Sequence, residues 1–253
     1  MKVKLISKTQ NLLDVIYTGA TTCYNAGSPI DKWFDVCNIP TDKKIKLIDA
    51  CIKSGHTSVL EHTQFMFAIE GVSRACTHQL VRHRVGMSYS QQSQRYVEIK
   101  EDELFEFNIP DSIKNDEELH NEFYALMQHI KNFYTKASNK GIKAEDCRSV
   151  LPNACCTNIV LTCNLRSLIH LCHERLCTRA QKEIRLLTKE MVKLVVKDNE
   201  WLRPYLVPKC EALGYCQEKN GCRRKPTLEQ LKEKWFNDGY NEGYEDNINL
   251  KDV

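Results

Sequence analysis

The feature that most constrains this chain is a long stretch of helical periodicity in its middle. Between residues 116 and 138, apolar side chains recur at spacings of three, four and seven: Leu119, Phe123, Leu126, Ile130, Phe133 and Ala137. This spacing places them on one face of a helix, and such a face normally packs against a core. Two later stretches, at about 165–177 and 179–197, show the same period. The pattern therefore predicts a folded chain with several long helices.

Short segments with strand-like character lie between the helical stretches. Phe65, Phe67 and Ile69 alternate with Met66, Ala68 and Glu70, and residues 157–163 have the apolar and β-branched composition of a strand. Helix and strand signals that mix in this way, without an internal repeat or a long linker, are typical of an α+β domain. We therefore expect a sheet packed against helices.

Two local predictions concern the segment that follows these strand residues. Ser73 is predicted to cap a helix that continues to Arg84. Segment 88–99 contains too many Ser and Gln residues for a core element. We therefore predict that this segment is a loop that enters a strand near Tyr96.

The apolar periodicity decays after Pro204 and Pro208. We therefore expect one α+β domain over residues 1–205 and a Cys-containing C-terminal extension over residues 206–236. Residues 237–253 are polar and acidic and lack apolar periodicity, which predicts a mobile tail.

Charge and hydropathy exclude several classes of protein. The 253 residues include 36 Lys and Arg against 33 Asp and Glu, which leaves a net charge of only +3. This balance does not indicate a nucleic-acid or membrane partner, although a local cationic site remains compatible with it. No apolar run approaches the roughly 20 residues of a spanning helix. The N-terminal residues also lack the pattern of a signal peptide, so we expect a cytoplasmic protein.

Cysteine is over-represented, with 13 residues. An odd number cannot pair completely within one chain, and most of these residues fall in apolar helical patterns, as small buried side chains do. Cys210, Cys216 and Cys222 differ, because they follow a C-x5-C-x5-C spacing among Lys and Arg residues. Three interpretations stay open for them: free thiols, zinc ligands completed from elsewhere, or a disulfide or redox role.

The densest group of chemically active side chains lies between residues 79 and 96. It holds three Arg, one His, three Ser and four Gln in eighteen residues. Guanidinium groups match phosphate with two donors at once, and hydroxyl and backbone N–H groups complete such sites. The group therefore indicates a ligand with more than one anionic part. A solvated basic helix end is the alternative, because cations are also favourable there.

Two further clusters carry polar and charged residues. His56, Ser58, Glu61 and His62 form the first, whose spacing differs from the H-E-x-x-H pattern of metal-binding helices, so loop residues at the surface are the alternative. The second cluster is Arg148, Asn164, Arg166, His170, Arg175 and Arg179. Glu174 and Glu183 are possible partners within the chain, so a network of structural salt bridges is the alternative there.

Taken in order, these blocks resemble the flavin-dependent thymidylate synthases. The family signature is Arg-His-Arg, seven residues and then Ser. Here eight residues separate Arg84 from Ser93, most simply through one insertion at Val85–Met87. The resemblance also covers SGHTSVLEH, Gln79, RSVLP around Arg148, and NLRSLIHLCHERLCTRAQKEIR. It spans about residues 1–205.

The resemblance implies both a fold and a reaction. The fold is an α+β domain with a mixed β-sheet and long helices, assembled as a homotetramer with active sites between subunits. The reaction is the methylation of dUMP to dTMP. Its carbon comes from 5,10-methylenetetrahydrofolate, and its reducing equivalents pass from NADPH through FAD.

The resemblance also implies which residues form the site. The expected FAD-binding residues are His56, Ser58, Glu61, Arg82, His83, Arg84, Asn164, Arg166 and His170. The expected dUMP-binding residues are Gln79, Gln91, Gln92, Ser93, Gln94, Arg95, Arg148 and Arg175. Arg175 is also the expected catalytic residue, holding the pyrimidine and stabilising negative charge on it. Arg179 stands where many members have His, and no metal ion is expected.

Two other functions are compatible with the residues alone. In an RNA-binding protein, the Arg and Tyr side chains of the 79–96 block would contact phosphates and stack on bases. In a zinc-dependent hydrolase, His56, Glu61 and His62 would hold the metal. A bound flavin, visible as colour in the purified protein, separates the flavin-dependent enzyme from the RNA-binding protein and from the zinc-dependent hydrolase.

Overall fold

The fold is described from a computed structural model, which describes residues 1–100, 102 and 104–237, with side chains excluded for 233–237. The described chain divides into two compact units. The first contains residues 1–6 and 66–162, and the second contains residues 7–65 together with the chain from 163 onward. The predicted boundaries at 205 and 236 stay predictions.

Four strands are separated by one to three α-helices each along the described chain, and further helices follow the last strand. The strands are β1 (Lys2–Lys8), β2 (Gln64–Ser73), β3 (Met87–Gln91) and β4 (Cys156–Asn164). The helices are α1 (Leu12–Tyr24), α2 (Pro29–Asp35), α3 (Thr41–Lys53), α4 (Arg74–Leu80), α5 (Asp111–Lys114), α6 (Glu117–Asn139), α7 (Ala144–Cys147), α8 (Leu165–Arg175), α9 (Lys182–Val196), α10 (Lys209–Leu213) and α11 (Leu228–Asn237). Short 3-10 turns cover Val36–Asn38, Thr57–His62, Arg148–Val150 and Glu200–Leu202.

The four strands form one sheet in the order β1-β2-β4-β3. The start of β1 lies beside the end of β2, where Lys2 is 3.8 Å from Glu70. The backbone N–H of Arg74, just after β2, donates to the carbonyl of Cys155, just before β4. The end of β3 likewise meets the start of β4, because Gln92 donates to the carbonyl of Asn158. All neighbours are therefore antiparallel, and the expected mixed sheet is wrong. The α+β class is confirmed.

In the first unit, α4 begins where it was predicted and ends earlier than predicted. The Ser73 hydroxyl accepts from the backbone N–H of Cys76, the expected cap. The helix ends at Leu80 rather than Arg84, because the single hydroxyl proton of Tyr89 is shared between the carbonyls of Leu80 at 2.9 Å and His83 at 2.6 Å. Those carbonyls are used by a side chain from β3, so the chain turns instead of continuing the helix.

The strand predicted near Tyr96 is also absent from the described residues. The strand lies earlier, at β3, and Tyr96 lies in the turn region after it. Alternation across Met87–Gln91 places polar side chains on the exposed face, which is why composition alone indicated a loop.

Helix α6 is confirmed within one residue of its predicted ends, but its buried face differs from the predicted stripe. Met127 and Tyr134 are almost fully buried, and Phe123 and Ile130 pack beside a core formed by Phe105, Met127 and Cys155. Three other predicted members, Leu119, Leu126 and Phe133, are about half exposed, and Ala137 is partly exposed. These three lie seven residues apart and form a second apolar stripe on α6.

In the second unit, α8 and α9 confirm the two later periodic stretches. Ile184, Leu187 and Met191 on α9 are fully buried, as the stripe predicted. The segment Thr57–His62, which reads as polar and turn-like, is a 3-10 turn whose Val59 and Leu60 are buried and which packs against α8. These two apolar side chains anchor a segment that otherwise carries polar groups.

Beyond Pro208 the chain forms α10 and, later, α11. Helix α11 ends at Asn237, the first residue of the predicted acidic tail; the rest of that tail lies outside the described residues. No helix in the described part of the chain is long and apolar enough to cross a membrane.

Candidate active site

The predicted dUMP loop, residues 91–95, is attached to the sheet of the first unit by its own side chains. The amide of Gln91 donates to the hydroxyls of Thr77 at 3.0 Å and Thr157 at 3.4 Å. The side-chain oxygen of Gln92 accepts from the amide of Asn158 at 3.2 Å. These bonds tie the loop to α4 and β4, so its remaining polar groups are held in place for a ligand.

Ser93 and Gln94 continue this loop. The Ser93 hydroxyl oxygen accepts from the backbone N–H of Arg95 at 3.1 Å, which leaves its proton available to a ligand. The amide of Gln94 lies 3.8 Å from the sulfur of Cys155. Burial raises the pKa of the Cys155 thiol, although Arg74 and Gln94 both act to lower it. Cys155 is therefore held in its protonated, weakly nucleophilic form.

Arg74 is a residue of this region that the sequence prediction missed. Its Nη2 donates to the carbonyl of Gln92 at 2.9 Å, while its buried Nε has no hydrogen-bond partner. Burial lowers the pKa of Arg74, and the nearby positive charge of Arg148 lowers it further, although Cys155 acts in the opposite direction. A partly buried guanidinium with an unused donor, close to a second cation, suits an anion. The available signal was a cation in the first turn of α4, where the helix dipole disfavours it.

Arg95 and Arg148 have different surroundings. Arg95 donates from Nε to Glu145 at 2.8 Å and lies 5.2 Å from the centre of the Tyr96 ring. Arg148 is exposed, and no carboxylate among the described residues lies within ion-pair distance of it. Arg148 is therefore ready to bind an anion, while Arg95 would have to exchange Glu145 for one.

The Arg-His-Arg block follows directly after α4. Arg82 and Arg84 are exposed, and His83 between them is buried with its carbonyl bonded to Tyr89 at 2.6 Å. Gln79, one turn earlier, donates to the carbonyl of Ala75 at 3.3 Å. The alternation places both guanidinium groups towards solvent, where an anionic cofactor can reach them.

The one-residue insertion after this block lies in a turn. Met87 donates from its backbone N–H to the carbonyl of Arg84 at 3.3 Å, and Gly86 has a φ of 65°. Glycine adopts this left-handed conformation at little cost. The extra residue is thus accommodated before β3 begins, and the 91–95 loop keeps its own attachments to the sheet.

The second unit holds the remaining predicted residues, and two of them form a pair. Arg166 donates from Nη1 to Glu61 at 2.5 Å, joining the first turn of α8 to the Thr57–His62 turn. Asn164 caps α8 through its side-chain oxygen, which accepts from the backbone N–H of Ser167 at 2.8 Å. The first contact fixes the start of α8 against the turn that carries Ser58, and the second stabilises the first turn of α8 itself.

The histidines of this unit are arranged separately. The exposed ring of His56 meets the edge of the Tyr24 ring, with 5.8 Å between the centres. His170 lies exposed on α8. Burial lowers the pKa of the neighbouring His173, helped by His170 and Lys209, so His173 is held neutral more strongly than an ordinary histidine.

Arg175 ends α8 and lines a cavity of about 270 Å³. Arg179 also lines it and pairs with Glu218 at 3.0 Å. Within the described residues, no group of three or more His, Cys, Asp or Glu side chains is arranged to hold a metal ion. The His56, Glu61 and His62 cluster therefore offers no metal site in this arrangement.

The comparisons with known proteins identify the family. The model of the family described as thymidylate synthase complementing protein matches residues 4–198. A flavin-dependent thymidylate synthase from Pyrococcus horikoshii is 42% identical over 247 residues, covering 94% of this chain and 98% of the relative. The chain belongs to the flavin-dependent thymidylate synthase family. It is therefore an enzyme of that family, as the ordered blocks predicted.

Other relatives agree. The flavin-dependent thymidylate synthase of Pyrococcus furiosus is 38% identical over 245 residues, which covers 93% of this chain and 96% of the relative. That of Geobacter sulfurreducens is 43% identical over 195 residues, with 77% and 82% covered. The match to members of the flavin-dependent thymidylate synthase family thus covers most of the chain, α8 and the 79–96 block included.

A solved structure supports the fold. The UMP/dUMP methylase PolB from Streptomyces cacaoi, solved with 5-Br dUMP, superimposes with a TM-score of 0.66. The match covers 80% of this chain and 94% of PolB at 20% sequence identity. At that identity the likeness concerns the fold alone.

Proposed function

We propose that the protein is a cytoplasmic enzyme that methylates dUMP to dTMP, with 5,10-methylenetetrahydrofolate as the carbon donor. We further propose FAD as its cofactor and NADPH as the source of reducing equivalents. Membership of the family supports a flavin-dependent thymidylate synthase. The substrate, donor and reductant are inferred from the resemblance and from the chemistry of the residues described above.

The observation that carries the proposal for dUMP is the cationic pair beside the 91–95 loop. Arg74 has a buried Nε without a hydrogen-bond partner. An anion that accepts a hydrogen bond from this Nε would offset the free-energy cost of burying it. Arg148 adds a second positive charge nearby. The phosphate of dUMP is the anionic part of the substrate, and the Ser93 hydroxyl and Gln91–Gln94 loop supply further hydrogen bonds.

The residues present fit FAD by the chemistry of their donors. Arg82 and Arg84 are exposed, and no described carboxylate lies within ion-pair distance of either side chain. Two such guanidinium groups suit the pyrophosphate of FAD. We propose that they hold it together with His83, His56, Ser58, Glu61, Asn164, Arg166 and His170. When bound, FAD reduced by NADPH supplies the hydride that converts the transferred carbon to a methyl group.

Arg175 is the proposed catalytic residue. Its planar guanidinium can donate two parallel hydrogen bonds to the polar edge of a pyrimidine. Positive charge at that edge stabilises the negative charge that develops on the ring when its carbon attacks the methylene donor. Ser93 is the residue that we propose for the phosphate end of dUMP, and Arg175 is the one that we propose for its pyrimidine.

Two buried thiols are poor candidates for an attack on the uracil ring. The Cys155 sulfur lies 3.8 Å from the amide of Gln94 in the 91–95 loop, and burial raises the pKa of its thiol. Cys163 is buried in β4, which raises the pKa of its thiol to about 12. Neither provides the thiolate that a covalent attack on the uracil ring needs.

We also propose a homotetramer whose active sites contain residues from different subunits. The exposed stripe of Leu119, Leu126 and Phe133 on α6 supports an association surface, because half-exposed large apolar side chains in a row favour a partner. Mixing inactive Arg95→Ala and Arg175→Ala chains under conditions of subunit exchange should then restore part of the activity. Verified exchange without any recovery would contradict shared sites.

A visible absorption spectrum tests the cofactor. Purified protein titrated with FAD should develop the bound-flavin spectrum. Adding dUMP should change this spectrum, whereas an otherwise identical sample without dUMP should keep it. A protein that does not bind FAD, and whose affinity for RNA falls steeply as the salt concentration rises, would favour an RNA-binding function instead.

A further inference from the structure

Four cysteines line the cavity at the end of α8, and the proposed methylation does not use their thiols. Cys177 follows α8, Cys210 lies on α10, and Cys216 and Cys222 come from the loop after it. The last three form the C-x5-C-x5-C pattern, which the family assignment leaves unexplained. All 13 cysteines lie in the described part of the chain, and none forms a disulfide there.

Cys222 is the exposed member of this group, and its surroundings favour the thiolate. The hydroxyl of Thr178 and the backbone N–H of Arg224 donate to its sulfur, and the positive charge of Arg224 adds to their effect. Together they hold the pKa of the Cys222 thiol below its ordinary value. A solvent-exposed thiolate is the reactive form of cysteine.

Cys210 has the opposite character. It is only partly exposed, and burial raises the pKa of its thiol. The neighbouring Cys216, Glu211, Cys177 and Cys222 raise it further. The cavity therefore contains Cys222, whose thiol pKa is lowered, together with Cys210, whose thiol pKa is raised.

Cys216 is fixed beside Gly221, the residue that precedes Cys222. A Cβ placed on Gly221 would lie 3.1 Å from the Cys216 sulfur, so this sulfur rests on the backbone of the residue that precedes Cys222. The backbone N–H of Cys216 donates to the carbonyl of Pro226 at 2.7 Å, and Cys216 pairs with Thr227 in a parallel bridge. These contacts hold the two ends of the 216–222 loop close together, as a disulfide across it requires.

We propose that Cys222 and Cys216 form a thiol–disulfide exchange site that reacts with small-molecule disulfides. The Cys222 thiolate attacks one sulfur of the small disulfide, whose S–S bond breaks and releases one thiolate. Cys216 then loses its proton to solvent and attacks the Cys222 sulfur, which releases the second thiolate. The protein loses two electrons and gains a disulfide, while the small disulfide is reduced and takes up two protons to give two thiols.

The roles of the two cysteines can be separated with oxidised glutathione as the probe. The full-length reduced chain should first gain one glutathione on Cys222 and then convert to a Cys216–Cys222 disulfide, both followed by intact mass and peptide mapping. Cys216→Ser should stop at the mixed disulfide on Cys222. Cys222→Ser should lose both products.

Cys37 provides a matched control. It is also exposed, and its sulfur donates to the carbonyl of Phe34 at 3.5 Å, whereas the surroundings of Cys222 lower the pKa of that thiol. Cys222 should therefore react with iodoacetamide faster than Cys37 within the same molecule. Cys37→Ser should leave the exchange reaction of Cys222 unchanged, and melting curves of all variants would verify folding.

Three results would overturn the proposal. The first is equal labelling of Cys222 and Cys37 in folded protein. The second is a disulfide that maps to any pair other than Cys216 and Cys222. The third is stoichiometric zinc in the purified protein that is lost on Cys222→Ser, because the thiols would then be metal ligands. None of these readouts depends on dTMP formation, so failure of the proposed methylation would leave this test intact.

Discussion

Two arginines of the first unit and two of the second are neutralised in different ways. In the first unit, Arg148 lies close enough to Arg74 to lower the pKa of Arg74, and no described carboxylate forms an ion pair with either. In the second unit, Arg166 holds Glu61 at 2.5 Å and Arg179 holds Glu218 at 3.0 Å. The first arrangement is incomplete without an anion, whereas the second is already complete within the chain.

This difference predicts different roles for similar side chains. Two cations held together repel each other, so a ligand phosphate placed between them gains from both. An arginine that already has a carboxylate partner must give up this ion pair before it binds a ligand anion. The free energy lost with the ion pair offsets part of the free energy gained from the ligand. We therefore expect dUMP affinity to depend most on the unpaired arginines, and the paired arginines to contribute mainly to positioning.

The largest effect should come from Arg175→Lys. A single ammonium keeps the charge but cannot provide the planar two-donor fork, so turnover should fall about 100-fold or more. The measurement is dTMP formation at saturating dUMP. Arg203→Lys, in an exposed pair with Glu200, is the matched control and should remain near wild type. Near-normal turnover of Arg175→Lys would make Arg175 a structural residue.

Arg74→Lys should weaken dUMP binding by roughly tenfold or more, as expected for a lost charge-assisted hydrogen bond of about 1.5–3 kcal/mol. Calorimetric titration with dUMP and with deoxyuridine checks the cause. The loss should be confined to dUMP, because deoxyuridine lacks the phosphate. An equal loss for both ligands would show that Arg74 maintains the loop through Gln92 rather than binding phosphate.

Ser93→Ala should weaken dUMP binding by about 1–3 kcal/mol and leave measurable turnover. The hydroxyl donates one hydrogen bond to a charged group and has no described base beside it that would activate it as a nucleophile. Comparing the change in KM with the change in kcat decides between a hydrogen-bond donor and a covalent nucleophile. Complete loss of turnover at saturating dUMP in a folded variant would indicate a covalent role.

The smallest effect should follow Glu61→Gln. The Glu61 and Arg166 side chains are 42% and 52% exposed, so losing the pair should reduce the free energy of unfolding by no more than about 1 kcal/mol. Its effect on flavin content should be smaller than that of Arg166→Ala, since the arginine remains. A larger loss of flavin for Glu61→Gln would mean that the carboxylate itself binds the cofactor.

The sequence predicted the elements whose signals are local. The period of α6, α8 and α9, the Ser73 cap and the alternation in β2 all depend on residues close in the chain. The end of α4 at Leu80 could not be predicted, because it depends on Tyr89 donating to carbonyls of the preceding turn. Strand directions and the buried face of α6 likewise depend on contacts between distant segments.

The candidate site shows the same division. The motif residues could be named from the order of the blocks, and the family match supports that order. Their surroundings could not, because the pairing of Arg166 with Glu61 joins residues 105 positions apart. Arg74 was missed because its burial and unused Nε are visible only in three dimensions. The one sequence feature that could have indicated Arg74 was a positive charge in the first turn of a predicted helix.

The most direct test of the account is dTMP formation by flavin-free protein before and after FAD is restored. The assay contains dUMP, 5,10-methylenetetrahydrofolate and NADPH, and flavin removal is verified by absorbance. The account predicts that dTMP formation disappears with the flavin and returns with FAD. Undiminished dTMP formation after complete removal of flavin would contradict it.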